Sequence, residues 1–372
     1  MDTILDVFFE KVFSQLPRGA LVSRYKRAEL SDYFGTVIVG CVGAEQVTAQ
    51  EAVARAVCAA LRYHAATRDA NGGVCLKGKF HDILYVVAKL AYDWELRDGH
   101  TVARLLRDLH SCEDTFERLI VGAIVGTRVS HLLSGWKSEF ADREENLQAV
   151  EFFLAHADEQ RLVFREARHG GQGARGAHAQ DPAEWPTGTL GLGQAVPARA
   201  LQDRRLADVP MRACGGLTAA AMALDVGRID TLSLLMRHGA TIHFPERESA
   251  DDSRATPADV LLGKLLDFRE RRPGEPYPEE VLGCLRLLLR AVPSAADSAL
   301  LRHCPDVILA LATDDGSPLV PPSRLGVTPP ELKHQARCAV RRCLYLAWNL
   351  PHGIQALNVP HVLRRYLDLE LD

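Results

Sequence analysis

The chain has 372 residues, 47% of them hydrophobic and 25% charged, which excludes wholesale disorder and leaves room for two or three domains with their own cores. With 44 basic and 48 acidic residues the net charge is −4, so no global positive field draws the chain to nucleic acid. No apolar run approaches the roughly 18 residues of a membrane span, and the acidic opening Met1-Asp2-Thr3-Ile4-Leu5-Asp6 lacks the bases of a secretory signal. An intracellular protein is expected, cytoplasmic with the nucleus also open to it, with neither a membrane nor a nucleic-acid partner.

Asp2 to Leu16 reads as an amphipathic helix, with Leu5, Phe8, Phe9, Val12, Phe13 and Leu16 three and four apart. A second helix is expected from about Gln50 to Tyr63, ending before the polar stretch from Thr67 to Gly73. Between them, Thr36 to Gly43 has the look of a buried turn, or of a strand entering glycines, but lacks the third glycine of a dinucleotide fingerprint. From Asp82 to His156 most segments carry helical periodicity. Residues 166–210 are rich in Gly, Ala, Gln, Pro and Arg and poor in large apolar residues, the composition of a flexible insert.

Residues Gly216 to Ala240 form the clearest internal unit. Thr218 caps a short helix of small alanines, Gly227 supplies the turn that ends it, and Ile229 to Arg237 follows as a second helix stopped by Gly239. Neither helix can bury its apolar face alone, so stacked neighbours are implied. Thr256-Pro257-Ala258-Asp259 begins another such unit, with its second helix from Glu279 to Ala291. Segments 98–106 and 147–157 read as second helices of degenerate units upstream, spaced more widely than the roughly 33 residues of an ankyrin period.

Near the end, Thr328-Pro329-Pro330-Glu331 has the form of a capping box with prolines at the first helical positions. Leu332, Ala336, Val340 and Leu344 then recur every four residues, drifting about 40° per step around a helix and forming one narrow apolar stripe. Arg337, Arg341 and Arg342 sit beside it, Leu350-Pro351-His352-Gly353 ends the helix, and another is expected from about Pro360, with Val362, Leu363, Tyr366 and Leu367 on one face. A tail of this size cannot make a sizeable core, so it must dock on the repeats, on another protein, or on both.

The middle unit resembles an ankyrin repeat through Gly216, Thr218, Ala223, Gly227, Leu234, Leu235, Gly239 and Ala240, with Ala219-Ala220-Ala221 in place of the usual Pro-Leu-His. The tail resembles a SOCS box: Leu332, Ala336 and Val340 fall on its first pattern, with alanine where cysteine is usual. Leu357-Asn358-Val359-Pro360 falls on its second, with asparagine where a proline is usual. Together these features are similar to those of the ankyrin repeat and SOCS box family. That resemblance implies an all-α fold, a degenerate ankyrin-like helical stack followed by a helical SOCS box. Residues 1–165 would be a helical amino-terminal region that includes degenerate repeats, 166–210 the insert, 211–312 ankyrin-like repeats and 323–372 the SOCS box. It further implies a non-catalytic adaptor of a ubiquitin ligase: Leu332, Ala336, Val340 and Leu344 would hold elongins B and C, and Leu357, Val359 and Pro360 a cullin of the cullin-5 class with its ring-box protein. The repeats would hold a protein to be ubiquitinated, through residues the sequence does not identify. The competing readings are a scaffold whose tail only caps the stack, burying the stripe, and an enzyme built on the first 165 residues.

No catalytic set, cofactor or metal site is expected. Gly73-Val74-Cys75-Leu76-Lys77-Gly78-Lys79-Phe80 has the spacing of a phosphate loop, but Phe80 stands where Ser or Thr would hold magnesium. The nine cysteines never approach within four positions of one another and there is no H-E-x-x-H; His110 with Cys112 is the nearest approach to a metal pair. Cys338 and Cys343 read as packing residues. The basic clusters Arg204-Arg205, Arg269 to Arg272 and Arg364-Arg365 lack interleaved aromatics and read as solvated faces or acidic-partner contacts.

Overall fold

A computed structural model describes residues 1–45, 47–165, 203–242, 257–295, 318–325 and 327–372. They form an all-α protein with no strand among the described residues; isolated bridges pair Phe164 with Arg204 and Met211 with Leu217. No helix among them is long and apolar enough to cross a membrane. Most of the expected insert, 166–202, lies outside the described residues, as do Thr256 and the end of the expected repeat region beyond Ala295. The stretch from 203 to 210 is packed, with Leu206, Ala207 and Val209 buried.

Helix α1 (Asp2–Val7) continues through further helical turns to Gln15 and buries Leu5, Phe8, Phe9 and Phe13. Phe8 stacks on Tyr33 of α2 (Arg24–Glu45) and Phe9 on Tyr63 of α3 (Ala49–Ala70), with ring centroids 4.7 and 4.8 Å apart. Helix α2 absorbs the segment read as a turn or strand. Phe34, Ile38 and Cys41 are buried at helical spacing, so packing against the neighbouring helices overrides the weak helix preference of Thr36, Val37, Val39 and three glycines. Helix α3 runs past its expected end at Tyr63 to Ala70. Its last turn needs no apolar face, and the chain turns only at Asn71.

A stack of helices follows: α4 (Lys79–Asp93), α5 (Gly99–Glu113), α6 (Glu117–Val125), α7 (Thr127–Ser134) and α8 (Arg143–Glu159) precede α9 (Ala219–Val226), α10 (Ile229–Arg237), α11 (Pro257–Arg271) and α12 (Glu279–Ala291). Helices α6, α9 and α11 pack in one row, while α5 lies on α8 and α10 on α12 in the other. The α9–α10 hairpin has a local cause. Thr218 Oγ1 accepts from the Ala221 amide, and Gly227 ends α9 in the left-handed region at φ +78°. Between units, Thr231 Oγ1 donates to the Ala123 carbonyl at 2.8 Å, and the buried pair His238 Nδ1 and Asp158 Oδ2 lies 2.7 Å apart. The tail adds α13 (Leu332–Leu346), α14 (His352–Ala356) and α15 (His361–Leu367).

Candidate functional site

Helix α13 begins at Leu332, not at the prolines before it. The expected capping box does not close, because the Glu331 carboxylate binds Arg324 (2.8 Å) and Ser323 Oγ (3.2 Å) instead. A charged pair outcompetes a neutral backbone cap, and the Arg324 guanidinium holds the Glu331 carboxyl down to about 2. Arg324 in turn donates to the Leu289 carbonyl, tying the tail to the end of α12.

One face of α13 is sealed against the stack, and polar chemistry does the sealing. His334, Arg337 and Arg341 are buried. His334 Nε2 lies 2.9 Å from the Val292 carbonyl and Nδ1 lies 3.2 Å from Arg337 Nη2; since the carbonyl only accepts and the guanidinium only donates, the imidazole is the neutral Nε2–H form. Burial, reinforced by the Arg324 charge, lowers its pKa. Arg341 donates to the carbonyls of Leu367 (2.9 Å) and Met236, and burial brings its guanidinium down to about 10, still charged at neutral pH. These arginines, expected beside the stripe, form the docking face. Around them, Arg237 grips the buried Asp368 carboxylate at 2.6 and 3.0 Å, Arg290 pairs with Asp372, and Arg205 lies between the Tyr345 and Trp348 rings at 3.6 and 3.7 Å.

The opposite face of α13 is open. Leu332 is 82% exposed and Leu346 67% exposed, with Ala336, Ala339 and Cys343 exposed between them. The drift of the four-residue repeat splits the expected stripe. Leu332 and Ala336 face solvent, whereas Val340 and Leu344 turn toward a small cluster of Leu350, Ile354 and Leu367 that also takes in Leu357. Reasoning from the repeat alone missed Ala339, Cys343 and Leu346, although the helical wheel places them beside Leu332. Cys343, read as a packing residue, is exposed, while Cys338 is half-buried. On α15, Tyr366 and Leu367 are buried but Val362 and Leu363 are not, so the expected single apolar face divides. Of the second expected set, Leu357 and Val359 are half-buried and Pro360 is exposed in the extended link into α15.

Away from this surface, four side chains that the sequence does not associate come together. His64 of α3, Cys75 of the following loop, His81 of α4 and Cys112 of α5 bring one ligand atom each to within 4.8 Å of the others. Spacing along the chain concealed them, since each comes from a different element.

The SOCS box family model matches residues 328–368. No curated protein and no solved structure matches the chain significantly. The match covers the whole docked helical tail from Thr328 to Asp368, and these residues are accordingly identified as a SOCS box.

Proposed function

We propose that this chain is the substrate-recognition adaptor of a ubiquitin ligase built on elongins B and C, a cullin of the cullin-5 class and its ring-box protein. The observation that carries this reading is the exposure of Leu332 within a SOCS box whose other face is fixed to the chain's own helical stack. A tail that merely capped the stack would bury that leucine. The open edge of Leu332, Ala336, Ala339, Cys343 and Leu346 is the elongin-binding face, with Val340 and Leu344 supporting it from beneath. Leu357, Val359 and Pro360 present the cullin contact. The helical stack, read as degenerate ankyrin repeats, holds the target.

The chain contributes no reacting group. Its docked tail fixes the target at a set distance from the charged conjugating enzyme, so transfer gains from effective concentration. The salt links of Arg237 and Arg290 and the carbonyl contacts of Arg341 serve that role by preventing the tail from swinging.

Mixing the full-length chain with elongins B and C is expected to give a complex of all three that survives size-exclusion chromatography. Leu332→Asp should weaken it by roughly 2–4 kcal/mol, as for an interface anchor, and abolish co-elution at micromolar concentration. A complex of undiminished affinity with Leu332→Asp would overturn the assignment.

A further inference from the structure

We propose that His64, Cys75, His81 and Cys112 form a structural zinc site that fastens the 71–78 loop to helices α3, α4 and α5. Two thiolates and two imidazoles are a donor set that zinc takes in tetrahedral geometry, and four protein ligands leave no open position, as in a structural and not a catalytic site.

Bond lengths of about 2.3 Å to sulfur and 2.0–2.1 Å to nitrogen require ligand atoms roughly 3.3–3.8 Å apart at the edges of the tetrahedron. Cys112 Sγ lies 3.4 Å from His64 Nε2, and all four ligand atoms fall within 4.8 Å. Bringing a pair at that 4.8 Å limit to these edge lengths takes a closure of about 1–1.5 Å, shared between two side chains.

The surroundings match those of a metal site. His81 is buried with Nε2 held 2.7 Å from Glu113 Oε1, while its Nδ1 is buried and has no hydrogen-bond partner. A buried ring nitrogen left unpaired is costly, and a metal ion is the partner that would satisfy it. His64 presents Nε2 to Cys112, and its Nδ1, buried and without a hydrogen-bond partner, lies 3.8 Å from Asp108 Oδ2. Each imidazole thus has a carboxylate on the side away from the cluster, hydrogen-bonded for His81 and 3.8 Å away for His64, the placement that orients metal-bound histidines. Glu113 is fixed in its turn by Tyr85 (2.6 Å) and Arg118 (3.2 Å). The Lys77 amide approaches Cys75 Sγ at 3.5 Å, a donor suited to a thiolate.

A thiol nucleophile with a histidine base would need one cysteine and one imidazole. Here both types are doubled and converge on a single point. The loop itself gives the site a purpose: between Asn71 and Gly78 the chain has no regular structure, and its cysteine meets ligand atoms from three helices.

The test uses the untagged full-length chain, purified reduced and without chelator. Elemental analysis is expected to find about one zinc per chain, and none in the Cys75→Ser, Cys112→Ser double variant. Should that variant fail to fold, cobalt exchange into the wild type decides the matter: strong visible tetrahedral bands with a thiolate charge-transfer band are expected. Glu113→Gln should retain zinc but bind it 10–100-fold more weakly in chelator competition. Metal-free wild type with an octahedral cobalt spectrum, full zinc content in the double variant, or a Cys75–Cys112 disulfide in the reduced protein would each overturn the proposal.

Discussion

His334 shows how one residue can decide whether the tail stays docked. Its two ring nitrogens serve a carbonyl that only accepts and a guanidinium that only donates, an arrangement open to the neutral ring alone. Protonation would remove the acceptor for Arg337 and place a third cation beside Arg324 and Arg337, opposed by the Glu331 carboxylate, with the Cys338 thiol neutral. Because the folded pKa lies below the ordinary value near 6.5, the unfolded chain binds more protons as pH falls through that value, so stability is lost on acidification. Denaturant unfolding followed by fluorescence of Trp348, which stacks on Arg205 at the same junction, should show the tail transition moving to lower denaturant below about pH 6.5. His334→Gln should remove that part of the pH dependence; an unchanged dependence in this variant would refute the role. The histidine's place in the sequence, two residues past the helix start, gave no hint of this, because its partners come from α12 and from the next turn of its own helix.

At the scale of elements, stack and tail pack tightly at Gly239, just beyond α10. It sits at φ +83°, and a Cβ there would lie 2.5 Å from Tyr345 Cδ2 and 3.2 Å from Leu350 Cδ1. Gly227, at φ +78°, ends α9 in the same backbone region but has open space around it, with Glu280 Cβ at 3.5 Å as its nearest neighbour. Alanine at either position should cost about 1–2 kcal/mol for the left-handed backbone, but only Gly239→Ala should also displace α13. Limited proteolysis is the check: Gly239→Ala should release the tail faster than Gly227→Ala, and equal rates would show that the contact does not hold it. Local signals made this hairpin readable in advance. The Thr218 cap, the two glycines and the leucine spacing of α10 act within a few residues, as do those that bound α12. Helix α2 was unreadable for the opposite reason: its β-branched residues and glycines are helical because of what packs on Phe34, Ile38 and Cys41. The four metal-ligand candidates stayed hidden for the same cause, since their association exists only after α3, α4 and α5 have packed.

Over the whole molecule, the division of the tail into a sealed and an open face separates an adaptor from an inert cap. The tail's size indicated that it must dock, and the four-residue repeat located an apolar stripe. Which way each half of that stripe points depends on the buried arginines opposite, which the sequence places only beside the stripe. Asp368 is the anchor of this arrangement: it is 1% exposed and held by Arg237. Arg237→Met would strand a buried carboxylate at a cost on the order of 3 kcal/mol. Its expected outcome is a lowered unfolding temperature with elongin binding retained but target ubiquitination slowed, because the open face survives while its position relative to the stack does not. Loss of elongin binding in proportion to the lost stability would argue against that separation of roles.

Cys343, on the open face between Ala339 and Leu346, reports on the central claim directly. Alkylation of the folded chain, followed by mass spectrometry of the peptide containing Cys343, should show rapid modification in the free protein and strong protection once elongins B and C are added. A Cys343 that resists alkylation in the free chain, or one that stays equally reactive with saturating elongins present, would contradict the account.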